Sequence, residues 1–319
     1  MSHQEYPLLP GYHAALEASA YFIQTQAGCL RIGDQDRSAF LQRQTTNDLS
    51  SLLPERSVLT VLVSPTARIL DVLRVNQVGD ELIVLTLPGH GGDTARYLKK
   101  RIFFMDKVRL EDESERFVQV DLEGLQAGNA LLGLGFSMTP DLDGVAMGEI
   151  GGEAVIADGQ RGLSGTGYRL LVPSAGWNTV EQKLTGARAE QLSDESYHIL
   201  RVEAGLPAAG AELTEEFTPL EAGLDYAVSG AKGCYTGQEV LARQTTYDKV
   251  TQHLVCLRLD APARVGERLW AEGKSVGVIT STATSPRLGA IALGMVRRPY
   301  HEAGAALVLG ASGVKVVVC

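Results

Sequence analysis

The stretch from Ala231 to Arg243 limits the local fold more strongly than any other part of this sequence. Eight consecutive residues in it hold a cation, two glycines, a thiol, a phenol, a hydroxyl, an amide and a carboxylate: Lys232, Gly233, Cys234, Tyr235, Thr236, Gly237, Gln238 and Glu239. Glycine lets the backbone turn tightly or approach a ligand, and the apolar run after Glu239 predicts the first turn of a helix. Two interpretations remain open from the residues alone, a glycine turn before a surface helix and a ligand-binding loop.

Chain length and charge limit the architecture and the partners. A chain of 319 residues exceeds the usual limit for one hydrophobic core, so two or three domains are expected. With 29 basic and 38 acidic side chains the net charge is −9, which repels phosphate backbones and anionic lipids. We therefore expect neither nucleic acid nor a membrane as a partner, although an average charge can hide a local basic groove.

The lack of a recognisable targeting signal and the spacing of the cysteines predict a cytoplasmic protein. The first thirty residues contain no lysine or arginine, which a secretory signal or a mitochondrial transit peptide would need. The four cysteines (Cys29, Cys234, Cys256 and Cys319) are scattered and form no Cys-x-x-Cys pair. This spacing argues against a structural zinc site and a disulfide framework, so no metal site is predicted.

Hydrophobic periodicity predicts a mixed α+β chain that ends in a β-rich domain. Helices are predicted over residues 12–23, 36–44, 92–103, 177–184 and 194–204, and early strands over 29–32, 58–63, 69–75, 82–87 and 107–110. Residues 115–165 are glycine-rich and predict short strands. The strand-like runs at 254–259, 268–270, 274–280, 290–295 and 306–318 indicate a β-barrel-like terminal domain.

The segment Lys232–Glu239 resembles the signature of the YgfZ family of folate-binding proteins, which are relatives of the glycine-cleavage T-protein, a tetrahydrofolate-dependent aminomethyltransferase. Weaker matches extend over nearly the whole chain: Asp34–Leu49, Ser64–Leu70, Arg201–Gly205, Phe217–Asp225, Val276–Ser281 and Ser285–Gly289. The resemblance implies a three-domain aminomethyltransferase-like α+β fold around a central folate pocket, with a C-terminal β-barrel domain. The expected domains are 1–55 together with 115–245, which carries Glu203 and the signature, then 56–114, and then 246–319.

The same resemblance implies a folate site that uses tetrahydrofolate or a derivative. Glu203, in Arg201-Val202-Glu203-Ala204-Gly205, corresponds to the glutamate that holds the pterin ring in the T-protein. A carboxylate can accept the pterin amine and the adjacent ring N–H as a pair, whereas an exposed helical glutamate paired with a basic side chain is the alternative. The signature would form the pocket wall through Lys232, Gly233, Tyr235, Gly237, Gln238 and Glu239.

Two residues are candidates for chemistry. Cys234 lies between Lys232 and the start of a helix, an arrangement that favours a reactive thiolate, although a small packing residue behind a ligand loop is the alternative. In the T-protein a catalytic aspartate lies near the start of the helix predicted at 92–103. Asp93 is the candidate there, and helix capping explains it as well.

Several positions depart from the family pattern. The chain has Arg43, Ala67 and Asp248 where glycine is usual, Leu163 where the T-protein has a tyrosine, and Gln252 where arginine is usual. The resemblance implies a tetrahydrofolate-binding accessory protein for the synthesis or repair of iron–sulfur proteins, with client or assembly proteins as partners. A folate-dependent aminomethyl or one-carbon transferase is the second hypothesis, and a scaffold with a vestigial pocket is the third.

Overall fold

The computed structural model describes residues 9–310 and 312–319, so the first eight residues of the predicted domain 1–55 lie outside it. The described helices are α1 (Tyr12–Glu17), α2 (Arg37–Gln44), α3 (Gly91–Lys99), α4 (Ala127–Leu134), α5 (Trp177–Gly186), α6 (Asp194–Glu203) and α7 (Gln238–Thr246). The first strands are β1 (Ala20–Gln24), β2 (Cys29–Gly33), β3 (Ser57–Val63), β4 (Ile69–Val78), β5 (Glu81–Leu85), β6 (Arg109–Asp112), β7 (Phe117–Glu123), β8 (Val145–Ile150), β9 (Glu153–Gly162), β10 (Gly165–Pro173) and β11 (Glu190–Gln191). The last strands are β12 (Gln252–Leu259), β13 (Arg268–Ala271), β14 (Lys274–Ser285), β15 (Gly289–Arg297), β16 (Ala306–Leu309) and β17 (Lys315–Val318).

The strands form two open sheets and one closed barrel. The first sheet has the order β11-β1-β7-β10-β9-β8, the second has the order β3-β4-β5-β2-β6, and the barrel closes as β12-β15-β14-β13-β16-β17. All pairs are antiparallel except β1 with β11. Closure leaves the barrel without an unpaired edge, and it confirms the predicted terminal β-barrel.

Each sheet has its own core. Buried apolar side chains of the first sheet pack on α4 and α5, those of the second sheet on α2 and α3, and the barrel fills its own interior. Strand β2 lies early in the chain but pairs with β5 and β6 of the second sheet. The predicted boundaries 1–55 with 115–245, 56–114 and 246–319 stay a prediction.

Buried charges and apolar clusters connect three modules, which are the first sheet, the second sheet and the barrel, each with the helices packed on it. Arg74 of β4 binds both carboxylate oxygens of Asp158 of β9, at 2.7 and 2.8 Å, and Ser57 donates to Asp158 at 2.6 Å. Val202 of α6 packs against Ile291 and Leu293 of the barrel. Because α6 contacts the barrel on one side and the first sheet on the other, its side chains lie where modules meet.

Two local predictions differ from the structure. The predicted helix 12–23 ends at Glu17, and Ala20–Gln24 forms β1 instead, because Ala20 and Tyr21 are buried where this strand pairs with β11 and β7. Helix α4 lies within the predicted glycine-rich segment of short strands. Its two glycines gave this stretch a loop-like pattern in the sequence. In the helix, a buried apolar face is formed by Ala127, Ala130, Leu131 and Leu134.

Among the described residues, no helix is long and apolar enough to span a bilayer.

Candidate functional site

Lys232 anchors the signature segment rather than pointing into open space. It is 7% exposed, and its ammonium donates to three backbone carbonyls, those of Gln42, Thr45 and Asn47, at 2.7, 2.6 and 2.6 Å. These carbonyls lie at and just after the C-terminus of α2, where helix carbonyls lack partners and a cation is favoured. Burial lowers the pKa of Lys232 to about 8, and the Asp48 carboxylate acts in the opposite direction. All three ammonium protons are thus in use within the protein.

Gly237 fixes the other end of the segment. It adopts φ 80° as the N-cap of α7, and a Cβ there would lie 2.8 Å from the Ser64 carbonyl oxygen. The β3–β4 turn that it meets contains Ala67, which has φ 60°, a conformation that explains the family's usual glycine at that position. The signature segment and the β3–β4 turn therefore pack so closely that even a Cβ does not fit between their backbones.

Cys234 is presented at the surface between these two anchors. Cys234 and Gly233 are exposed, and Tyr235 packs beside Leu241 in a small cluster with its ring 5.0 Å from the Lys232 ammonium. Gln238 and Glu239 begin α7, and the largely exposed Glu239 pairs with Arg243 one turn later. The loop is thus fixed at both ends while its thiol remains accessible.

Glu203 is held by three side chains from other elements. Its carboxylate is 4% exposed, and Oε1 accepts hydrogen bonds from the Tyr12 and Ser285 hydroxyls, each at 2.5 Å. Oε2 pairs with the Arg287 guanidinium, whose side chain is half exposed. Burial, followed by the bond to Glu203, raises the pKa of the Tyr12 phenol. Glu203 therefore joins α6 to α1 and to the β14–β15 turn.

Sequence reasoning named Glu203 but not its partners. Tyr12 lies 191 residues from it, and Ser285 and Arg287 more than 80, so no local pattern connects them. The segment Ser285–Gly289 stood out only as a family match.

A cavity of about 540 Å³ opens on another side of α6. Side chains from α6, residues 210–217 and strand β14 line it, including His198, Arg201, Phe217 and Thr280. Arg201 donates to Glu212, Ser281 and His198, whereas the buried Thr280 hydroxyl has no hydrogen-bond partner among the residues that the structure describes. Residues 201 and 203 lie about 200° apart around a helix, and neither Glu203 nor Cys234 is among the residues that line this cavity.

The structure places two aspartates near the start of α3. The Asp93 side chain is 79% exposed and pairs with Arg96. Asp71 of β4 is fully buried and accepts hydrogen bonds from the Thr94 hydroxyl of α3 and from the Val72 and Leu87 N–H groups. Burial raises the pKa of Asp71 to about 6 against the opposing effect of these bonds. Sequence reasoning missed Asp71 because an isolated aspartate inside a strand pattern carries no signal.

A second group of buried polar side chains lies in the first sheet. The Asp121 carboxylate accepts two bonds from Arg169 at 2.6 and 2.9 Å, and further bonds from Gln24, Gln160 and Tyr197. The Tyr197 ring stacks on Phe22 with 4.0 Å between centroids. The Asp121 carboxylate in the second half of β7 is thus satisfied by side chains from several elements.

Glu123 lies two residues further along β7, beneath the β9–β10 hairpin. It accepts a bond from the Leu163 N–H at 2.8 Å. A Cβ on Gly162 or Gly167 would lie 2.2 or 2.9 Å from its Oε2, so both glycines leave room for the carboxyl group. Burial, and then the Asp121 carboxylate, raises the pKa of Glu123 to about 8.

Comparison with known proteins identifies the family. Residues 12–232 match the family described as GCVT N-terminal domain. The chain belongs to the GCVT family. Residues 252–319 match the glycine cleavage T-protein C-terminal barrel domain, in agreement with the closed barrel.

Among the GCVT relatives, a chloroplastic protein of Arabidopsis thaliana, provisionally named a transferase, is 31% identical over 289 residues, 89% of this chain and 66% of that protein. The chain thus spans just under two thirds of that relative's length. An aminomethyltransferase of Exiguobacterium sibiricum is 28% identical over 90% of this chain and 81% of its own. The predicted cytoplasmic location stays a prediction.

A solved structure of a family member confirms the predicted fold. The glycine cleavage system aminomethyltransferase T of Bartonella henselae superposes with a TM-score of 0.85 at 21% identity, over 97% of this chain and 87% of that one. The aminomethyltransferase-like fold with its terminal barrel is therefore confirmed.

Proposed function

We propose that this GCVT-family protein is a YgfZ-type accessory factor that binds tetrahydrofolate and supports the synthesis or repair of iron–sulfur proteins. The observation that carries the proposal is the accessible Cys234 thiol on a loop fixed by Lys232 at one end and by Gly237 at the other. A fixed loop presents its tip without a large loss of chain entropy on contact. Such a loop suits transient contact with an iron–sulfur client or assembly protein.

Glu203 is the proposed pterin carboxylate. Tyr12 and Ser285 hold Oε1, which leaves the Oε2 side to the half-exposed Arg287. A guanidinium and the 2-amino, ring N–H edge of a pterin both present planar N–H donors to a carboxylate. Arg287 therefore holds the Oε2 position that the pterin edge would take, so folate binding at Glu203 requires Arg287 to move away.

The remaining signature residues divide into anchors and contacts. The Lys232 ammonium is fully engaged by carbonyls, and Gly237 acts by allowing a close backbone approach. Gly233, Tyr235, Gln238 and Glu239 are the members left to meet folate or a partner. When bound, tetrahydrofolate would supply nucleophilic nitrogens for one-carbon chemistry, while Glu203 orients its ring.

A folate-dependent aminomethyl or one-carbon transferase is the second candidate. The buried Asp71 favours it, because a carboxylate with a pKa of about 6 is matched to proton transfer near neutral pH. The aminomethyltransferase names of several relatives favour it as well. Asp71 is fully buried, so this function needs an opening of the β4–α3 contact that exposes it.

Complementation distinguishes the two functions. Iron–sulfur enzyme activities would be measured in cells that lack the gene and carry the wild type, Cys234→Ala, Asp71→Asn or the matched exposed-thiol control Cys319→Ala. The accessory function predicts that Cys234→Ala fails while Cys319→Ala and Asp71→Asn restore activity. Iron–sulfur enzyme activities that stay unchanged in cells lacking the gene, or full rescue by Cys234→Ala, would contradict the accessory function and leave the transferase as the candidate.

A further inference from the structure

One segment of this acidic chain is strongly basic. Between residues 96 and 109 the sequence holds one acidic residue and six basic ones: Arg96, Lys99, Lys100, Arg101, Lys107 and Arg109. The segment runs from the second half of α3 to the start of β6 and carries a net charge of +5 in a chain of −9. Lys99, Lys100 and Lys107 are exposed and form no ion pair within the described part of the chain.

Three apolar side chains project from the middle of this segment. Phe103, Phe104 and Met105, here called the apolar tip, are 66%, 96% and 74% exposed. Single exposed apolar residues are ordinary on protein surfaces, whereas a contiguous group marks a contact site. We therefore expect a binding partner that covers the apolar tip.

Hydrogen bonds hold the turn that carries the apolar tip in one conformation. Asp106 donates its N–H to the Phe103 carbonyl at 2.9 Å, and its carboxylate accepts the Phe103 N–H at 3.0 Å. Arg43 binds both oxygens of the same carboxylate at 2.9 and 3.0 Å. On either side of the tip, Ile102 and Val108 pack into the core of the second sheet. The one acidic group of the segment is thus neutralised, and the tip cannot fold back.

We propose that the apolar tip and its basic flanks dock on an anionic lipid membrane surface. In this contact the three apolar side chains enter the interface while Lys99, Lys100 and Lys107 meet lipid phosphates and carboxylates. The contact is peripheral, since the described residues contain no spanning helix. It departs from the sequence-based expectation of no membrane partner, because the average charge hides this segment, and it is independent of the folate proposal.

The shape of the tip favours lipid over a protein partner. A stable protein interface covers about 800 Å² on each side with complementary surfaces, whereas three consecutive side chains on a tight turn form a small convex point. Lipid adapts to a convex point, and basic flanks add attraction to anionic headgroups. The chain outside this segment carries a net charge of −14, so anionic headgroups repel it on average while they attract this segment.

Vesicle sedimentation of the full chain tests the proposal. Wild-type protein is expected to sediment with vesicles of phosphatidylcholine and phosphatidylserine at low salt, and much less with phosphatidylcholine alone or at high salt. Phe104→Ser is expected to weaken binding roughly tenfold or more, because a large apolar side chain no longer enters the interface. Leu53→Ser, which also changes an exposed apolar residue, is expected to bind as the wild type does.

Charge reversal provides a second matched pair. The double variant Lys99→Glu/Lys100→Glu is expected to lose binding, whereas Lys274→Glu/Lys315→Glu, which makes the same change in net charge on the exposed barrel surface, is expected to keep most of it. Equal loss in both double variants would overturn the proposal, because net charge alone would then govern binding. Absence of wild-type sedimentation with anionic vesicles, or capture of an acidic protein through Phe104 without vesicle binding, would also overturn it.

Discussion

At the scale of single residues, Glu203 and Lys232 are two charged side chains whose hydrogen bonds are all made to other parts of the protein. Their partners lie 82 to 191 residues away in the chain. The sequence identified both residues through motifs, but it contains no local signal for the carbonyls that bind Lys232 or for Tyr12 and Arg287. Long-range pairing of this kind follows only from the arrangement of modules.

Arg287 is expected to compete with folate for Glu203. Arg287→Ala frees Oε2 and removes a half-exposed ion pair worth about 0–1 kcal/mol, so tetrahydrofolate should bind up to roughly fivefold more tightly. Titration calorimetry measures this, with Arg297→Ala as the control for loss of an exposed arginine. Weaker binding by Arg287→Ala would mean that Arg287 contacts the ligand itself.

Glu123 is expected to make stability fall as pH rises. The folded protein keeps Glu123 protonated up to a pKa of about 8, while the unfolded chain releases that proton near its ordinary value of about 4.3. The stabilisation is therefore complete below the unfolded value and is lost as pH rises through about 8. Glu123→Gln keeps an acceptor for the Leu163 N–H and removes the titration.

Urea unfolding at about pH 5 and about pH 8.5 checks this linkage. Between these pH values the wild type should lose on the order of 3 kcal/mol relative to Glu123→Gln. Glu115→Gln, at an exposed glutamate, should follow the wild type. Parallel pH curves for the wild type and Glu123→Gln would show that Glu123 titrates normally in the folded state.

At the scale of elements, the backbone of the signature loop depends on Gly237 and not on Gly233. Gly237→Ala would place a Cβ 2.8 Å from the Ser64 carbonyl oxygen at φ 80°, whereas no atom of residues 9–310 or 312–319 lies within 4 Å of a Cβ at Gly233. We expect Gly237→Ala to lower the free energy of unfolding by about 1–3 kcal/mol and Gly233→Ala to change it by about 0.5 kcal/mol or less. Denaturant unfolding measures both, and equal effects would contradict the close approach.

Periodicity predicted the elements well where burial agrees with local preference. Helix α2, strand β3 and the barrel strands β12, β13 and β15 begin and end within two residues of the predicted bounds, whereas β14 extends five residues beyond its predicted end. The predicted run 306–318 is two strands, β16 and β17, that pair with each other. Ala20–Gln24 became a strand because sheet burial overrode its helical pattern.

At the scale of the whole molecule, the family resemblance predicted the aminomethyltransferase-like fold, which neither composition nor periodicity could specify, whereas the strand pattern already indicated the terminal barrel. It did not predict how charges cross between modules, as with Arg74 and Asp158. Nor did it predict that the described cavity beside α6 would lie on the side away from Glu203. These features depend on packing between modules, which a single sequence does not encode locally.

The most direct measurement is a calorimetric titration of tetrahydrofolate into the wild-type protein and into Glu203→Gln. We expect binding by the wild type and a loss of about 10- to 100-fold in Glu203→Gln, because a charge-assisted pair of hydrogen bonds becomes a neutral one. Equal binding by both proteins would place the folate away from Glu203. No binding by the wild type would contradict the folate function itself.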